Sequence, residues 1–305
     1  MRTVFLGTSE FAAGVLERLA GEGGRSGPHR PTLVLTRPDR PAGRGRKLSA
    51  PPVADAARTL GLELAQPESV NDPAARALIA GAAPDAVIVC AFGALVKEPL
   101  LSRYEMLNVH PSLLPRWRGA APIERAIMAG DERSGVSIMR LTAGLDSGPV
   151  CLAASEPIGP DDTYGSLAPR LELLGGDLLV GVLDTLDGGE PLPFAEQDER
   201  LVTYAEKIGP SDRLLDPAGP AAELERVVRA LYPHVGARVA LSDGTLLGVQ
   251  RAALAQAVSP SGEGVYRNDG RLLLGCADGA LELLVVQPPG GRPMEAAAYL
   301  RGHAG

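Results

Sequence analysis

Residues 3–7, TVFLG, form an apolar run that stops at glycine, and the next stretch, SEFAAGVLERLA, sets apolar side chains at 11, 15, 16 and 19. The run predicts a strand, and the spacing of three to four predicts a helix. After a loop, GEGGRSGPHRP, the stretch TLVLT predicts a second strand. RPDRPAGRGRKL is too rich in Pro and Gly for regular structure to be expected there. APPVADAARTLGLEL reads as a helix entered through Pro, followed by a short strand. PDAVIVCAFG is almost continuously apolar, as a strand covered on both faces of a parallel sheet must be, and EMLNVH is a further strand. Strands alternating with helices at this spacing predict a doubly wound, mostly parallel α/β sheet.

The pattern continues with a helix, PIERAIMAG, stopped by Gly130, and a strand, GVSIMRL. A Gly-bounded turn and another strand follow in GLDSGPVCLAASEPI. Leu and Val at 167, 171, 174, 178, 182 and 186 keep helical spacing, while Pro169 and the pair Gly175–Gly176 predict a kink or two helices. Near residue 188 the chain turns polar and turn-rich. Beyond it, AAELERVVRALYP is a helix. Five short strands separated by SDG, NDG and ADG turns then predict a small β-barrel, OB-like in size, and RPMEAAAYLRG closes as a helix. The expected organisation is an α/β domain over 1–188, a linker over 189–209 and a barrel over 210–305.

Composition changes this picture little. Aromatic residues are 4% of the 305, so the cores must be built from Leu, Val, Ala and Ile. No run reaches the ~18 apolar residues of a membrane helix, and no small-residue cleavage site follows the first strand, so neither a membrane span nor a signal peptide is expected. Cys90, Cys151 and Cys276 are odd in number and far apart, which suits neither a disulfide framework nor a zinc site. A reducing cytoplasm and a monomer are expected. The net charge of −7 argues against a nonspecific nucleic-acid coat. It leaves room for a local basic patch. Segment 37–47 carries Arg37, Arg40, Arg44, Arg46 and Lys47 against Asp39, a charge of +4 in eleven residues. Such a loop can grip a phosphate backbone. It can equally be a solvated surface loop.

The candidate chemistry lies in NVHPSLLPRWRGAAP, residues 108–122, where Pro at 111, 115 and 122 forbids one continuous helix. Asn108 and His110 are two apart at a strand end, so their side chains share a side. An amide and an imidazolium converging on one point suit a developing oxyanion. Asp146, in TAGLDSGPV, should reach the same carboxyl edge. A carboxylate there would favour the protonated ring or hold a water for proton transfer. An Asx turn before Ser-Gly fits Asp146 equally well, and spacing does not choose. Arg116 and Arg118 could stack or bind phosphate, and Trp117 could simply pack under the loop. No dinucleotide, P-loop or nucleophile-elbow motif is present, and no His/Cys/Glu cluster has metal-ligand spacing. Acyl transfer without metal or covalent enzyme intermediate is the expected chemistry.

NVHPSLLPRWRGAAP with GLDSG resembles the folate-dependent formyltransferase superfamily. FLGTSEFA, RPDRPAGRGRKL, GVSIMRL and LVTYAEKI are similar to the branch that formylates methionyl-initiator tRNA from 10-formyltetrahydrofolate. The resemblance implies the formyltransferase version of the Rossmann-like sheet and a tRNA-binding role for the tail. It places the catalytic residues at Asn108, His110 and Asp146. It implies folate binding by Ser112, Leu113, Leu114 and Pro115, with the pterin lined by Phe92, Gly93, Ala94 and Leu95. It implies tRNA contact by Arg40, Arg44, Arg46 and Lys47, with Arg44 foremost. The tail from 210 to 305 has nine Arg and no Lys against ten acidic residues, so few residues there can dominate a contact with RNA. The rivals are a formyltransferase for an amino sugar or glycinamide ribotide, and an RNA-binding protein on the same scaffold without turnover.

Overall fold

The structure is a computed structural model, and it describes residues 1–21, 27, 29–42, 47–255 and 264–302, apart from the side chains of Ala42 and Lys47. Two compact units are present: Met1–Pro122 with Ser134–Glu156 and Ala168–Ala205, and Ile123–Arg133 with Pro157–Leu167 and Glu206–Gly305.

In chain order the first part runs β1 (Thr3–Gly7), α1 (Glu10–Ala20), β2 (Leu33–Leu35), β3 (Arg40–Ala42), β4 (Lys47–Ser49), α2 (Pro52–Thr59), β5 (Leu64–Ala65) and α3 (Pro73–Ala82). It continues with β6 (Ala86–Cys90), α4 (Leu100–Arg103), β7 (Glu105–His110), β8 (Arg118–Gly119), α5 (Pro122–Ala129), β9 (Arg133–Arg140), β10 (Val150–Pro157), α6 (Tyr164–Asp187) and β11 (Tyr204–Ala205). Seven strands make one sheet in the order β10-β9-β7-β6-β1-β2-β5. From β7 to β5 every pairing is parallel, and β9 runs antiparallel to β7. The doubly wound, mostly parallel sheet is therefore as the apolar pattern predicts. β1 and β6 are buried along their whole length, because helices cover both faces. Ser9 caps α1, its hydroxyl accepting from the Ala12 N–H at 3.3 Å.

Three local expectations are corrected. RPDRPAGRGRKL is not irregular throughout: β3 and β4 pair as an antiparallel hairpin, with Pro41 opposite Leu48. Proline is tolerated in a two-stranded ribbon because both of its strands are edge strands. Next, α6 is one helix of 24 residues with Pro169 inside it. Gly175 and Gly176 serve contact and do not break it. A Cβ on Gly175 would meet Val109 at 3.1 Å and Val136 at 3.4 Å, and one on Gly176 would meet Arg18 at 2.5 Å. A Cβ at Gly176 has no room beside Arg18 on α1, and one at Gly175 would press on the two valines of the sheet. Finally, the pattern passed over α3, a ten-residue helix with Pro at its first position.

The second unit's sheet follows helix α7 (Ala221–Leu231) and comprises β12 (Ala237–Ala240), β13 (Leu246–Leu254), β14 (Gly264–Asn268), β15 (Arg271–Cys276), β16 (Gly279–Gln287) and β17 (Met294–Glu295), before the closing helix α8 (Ala296–Gly302). The antiparallel order is β12-β13-β16-β15-β14, with β17 on β16. It is a curled half-barrel whose core holds Leu224, Leu231, Leu247, Leu274, Leu281 and Leu300. The five expected strands are present and β17 is a sixth.

Candidate active site

β7 delivers Asn108 and His110 to one side of the sheet, both buried. Asp146 arrives differently from expectation. Because β9 is antiparallel to β7, with His110 opposite Ser137 and Leu107 opposite Arg140, the chain leaves β9 toward the other end of the sheet. The turn after Thr142 brings Asp146 back, and it does so at φ 45°. A non-glycine residue in that region is held by its surroundings. Gly144 and Gly148 allow the turn to be tight. A Cβ on Gly148 would run into the Arg140 carbonyl oxygen.

The three side chains meet. Asn108 Nδ2 donates to Asp146 Oδ1 at 3.4 Å, and His110 Nδ1 lies 3.7 Å from Asp146 Oδ2. Asp146 Oδ2 also accepts from the Gly119 N–H at 2.9 Å. The other ring nitrogen, His110 Nε2, is 2.9 Å from the Trp117 carbonyl oxygen. A carbonyl can only accept, so Nε2 carries a proton and Nδ1 is the nitrogen aimed at Asp146. Trp117, at φ 65°, thus orients the ring through its backbone. Its own ring lies under Arg116, whose guanidinium carbon is 4.4 Å from the ring centroid. Of the other histidines, His29 Nε2 pairs with Asp184 at 2.7 Å and His234 with Glu124 at 3.0 Å, while His303 lies outside the described residues.

Residues that sequence reasoning placed in a linker hold this loop. β11 pairs in parallel with β8. Thr203 Oγ1 accepts from the Trp117 N–H at 2.9 Å and the Thr203 carbonyl from the Arg118 N–H at 2.9 Å. Arg118, buried at 3% exposure, donates through Nη2 to Glu199 Oε1 at 2.7 Å and through Nε to Gln197 Oε1 at 3.0 Å. It is bound up within the protein and does not present itself to phosphate. The guanidinium holds the Glu199 carboxyl below its ordinary range. Gln197 Nε2 in turn donates to the carbonyls of Asp146 and Gly148, at 2.8 and 2.7 Å.

Residues 1–183 match the formyl transferase family and residues 207–304 its C-terminal domain. The chain is 42% identical over 304 residues to "Methionyl-tRNA formyltransferase" of Halorhodospira halophila, covering 99% of this chain and 96% of that one. It is 43% identical over 307 residues to the protein of the same name from Methylococcus capsulatus, covering 100% and 97%. The chain belongs to the methionyl-tRNA formyltransferase family. In fold it also resembles HypX from Aquifex aeolicus, solved in complex with tetrahydrofolic acid, at 17% identity and a TM-score of 0.63. That alignment covers 98% of this chain and about half (47%) of HypX.

For a member of the methionyl-tRNA formyltransferase family, the remaining expected site segments divide sharply. In Ser112–Pro115, Ser112 Oγ donates to the Arg116 carbonyl at 2.6 Å, and the Leu114 N–H donates to Ser137 Oγ at 3.1 Å. Leu113, Leu114 and Pro115 keep partly exposed side chains. Phe92 is buried in the core with Val4, Leu6, Leu35 and Val89, whereas Gly93, Ala94 and Leu95 are exposed. Arg37 donates to the Gly93 carbonyl, tying the basic segment to this loop. Arg40 is exposed, 3.9 Å from Glu68. Lys47 begins β4, and Arg44 and Arg46 lie outside the described residues. Among the described residues no group of three or more His, Cys, Asp or Glu could hold a metal, and no helix is long and apolar enough to cross a membrane.

Proposed function

We infer that this protein transfers the formyl group of 10-formyltetrahydrofolate to the α-amine of methionyl-initiator tRNA. The supporting observation is the convergence of Asn108, His110 and Asp146, in a chain 42–43% identical along its length to proteins named for that reaction. The amine nitrogen bonds to the formyl carbon, and the carbonyl electron pair moves to oxygen. Collapse breaks the bond to N10, which takes up the proton the amine gives up. Asn108 Nδ2 has two N–H groups, of which Asp146 takes one. With Nε2 committed to the Trp117 carbonyl, a protonated His110 has its Nδ1–H left to offer beside that amide, since Asp146 Oδ2, at 3.7 Å, is too far to take it as a hydrogen bond. These are the donors for the developing oxyanion, and Asp146 carries the amine proton toward N10, directly or through water.

We assign the folate to the apolar surface of Leu113, Leu114 and Pro115 and to the exposed Gly93–Leu95 segment. Ser112 and Phe92 act by shaping those two walls. We assign tRNA contact to Arg40, Arg44, Arg46 and Lys47, and to the tail domain, 210–305, beyond a catalytic domain over 1–188 and a linker over 189–209. A cytoplasmic location fits the three cysteines, which are buried free thiols, and we propose a monomer.

The test is transfer of labelled formyl from 10-formyltetrahydrofolate. Charged initiator tRNA is the acceptor, with uncharged tRNA, an amino-sugar nucleotide and glycinamide ribotide as controls. Only charged tRNA should be labelled. His110→Ala and Asp146→Ala should each lower kcat at least ~10²-fold, with tRNA affinity kept. Labelling of a control acceptor, or loss of less than tenfold in both variants, refutes the assignment.

A further inference from the structure

We propose that Gln197 is a positioning residue for Asp146, acting from the connector through its side-chain amide; the proposal rests on the role given to Asp146 above. Gln197 is half-buried and lies 51 residues further along the chain. Its two N–H groups are both spent on the turn that carries the carboxylate, one on the Asp146 carbonyl at 2.8 Å and one on the Gly148 carbonyl at 2.7 Å.

The orientation of this amide is fixed by chemistry. An Arg Nε–H is a donor only, so the oxygen of Gln197 must face Arg118 Nε, at 3.0 Å. A flipped amide would set N–H against N–H at Arg118 and oxygen against two carbonyl oxygens. Arg118 in turn cannot swing away, because Glu199 holds the outer nitrogens, Nη2 at 2.7 Å and Nη1 at 3.3 Å. The result is a directed chain: Glu199 aligns Arg118, Arg118 aligns Gln197, and Gln197 clamps the turn.

What the clamp secures is a backbone that would not hold itself. Asp146 sits at φ 45°, where a residue other than glycine is uncommon. With its own carbonyl and that of Gly148 fixed, Asp146 is held with its side chain toward Asn108, His110 and the Gly119 N–H. Arg118 belongs to β8, whose next residue, Gly119, supplies that N–H. Gln197 and Arg118 together therefore register the loop bearing the carboxylate against the loop bearing its partner. A displacement of about 1 Å at such a group costs on the order of 10² in rate.

A merely structural role for Gln197 is separable by one substitution. Gln197→Glu keeps an acceptor for Arg118 and adds charge to that bond, but sets a second oxygen against the two carbonyls. If Gln197 serves only to anchor Arg118, Gln197→Glu should match the wild type and Gln197→Ala should not. If it positions Asp146, both variants should lose kcat by about 10- to 100-fold, with KM for formylfolate and for charged tRNA changed less than threefold. All variants are assayed at one temperature, at least 20 °C below the lowest of their melting midpoints, so that neither unfolding nor temperature enters the comparison. Gln197→Glu combined with Asp146→Ala should be no slower than Asp146→Ala alone, since a residue acting through another adds nothing once that other is gone.

Wild-type kcat in Gln197→Glu overturns the proposal, as does a double variant slower than Asp146→Ala by the full factor of the single one. An active Asp146→Ala enzyme overturns instead the assignment on which the proposal stands, so the two failures are told apart.

Discussion

Gly119 is the residue at which the fold and the proposed chemistry are most tightly joined. It has φ 125°, and a Cβ there would lie 2.6 Å from the Ala205 carbonyl oxygen. That same oxygen accepts the N–H of Ala120 at 2.8 Å and of Ala121 at 3.2 Å. In Gly119→Ala the backbone strain alone costs ~1–3 kcal/mol. Parting β8 from β11 to make room forfeits those two hydrogen bonds, each worth about 1 kcal/mol net. The sum is about 3–5 kcal/mol. At about 2–4 °C per kcal/mol for a unit of this size, the melting midpoint should fall by roughly 6–20 °C. Gly119 also gives its N–H to Asp146 Oδ2 at 2.9 Å, so kcat should fall about 10²-fold below the transition. The assay is differential scanning calorimetry beside single-turnover formyl transfer at 20 °C. Gly61→Ala is the control, since Gly61 also has positive φ, 64°, but nothing lies within 4 Å of its Cβ position. It should lose ~1–2 kcal/mol and no turnover. If Gly119→Ala loses no more stability than Gly61→Ala and keeps kcat within threefold, the steric and hydrogen-bonding account of this loop is wrong.

Two further outcomes are expected. Burial, with Glu10 and Glu17 nearby, pushes the Glu172 carboxyl up from 4.5 to about 7. The folded state therefore keeps this proton where the unfolded chain loses it, so the contribution is full below about pH 4.5 and is lost as pH rises through 7. Glu172→Gln should gain about 1–2 kcal/mol over the wild type at pH 8, after discounting for solvent screening, and nothing at pH 4.5; equal midpoints across that range count against the buried carboxyl. Arg44→Ala should raise KM for charged tRNA and flatten the plot of log affinity against log salt by about one unit of slope. An unchanged slope moves the contact elsewhere.

Apolar patterning located most of the elements and the class of sheet they form, but not which strand pairs with which. Short apolar runs bounded by turn residues, such as residues 86–90, read as strands covered on both faces, and the 3.6-residue spacing of the helices names the side they bury. The pairing of Asn108 with His110 was also legible, because two residues apart on a strand means the same side of the sheet. Tertiary structure decided the rest. Gly175 and Gly176 look like a break in α6 until Val109, Val136 and Arg18 are seen pressed against them. The hairpin of β3 and β4 looks like loop because its local composition opposes pairing, and only the strand opposite shows otherwise. Asp146 was legible as a candidate but not in its route, since the antiparallel course of β9 is a property of the sheet and of no single segment. Gln197 and Glu199 are polar residues in a polar connector and carry no local signal, and Thr203 lies in LVTYAEKI, which marks the family but not the residue's role. Their hydrogen bonds reach 49 to 86 residues back along the chain, and hydrophobic periodicity is silent about contacts between polar groups that far apart.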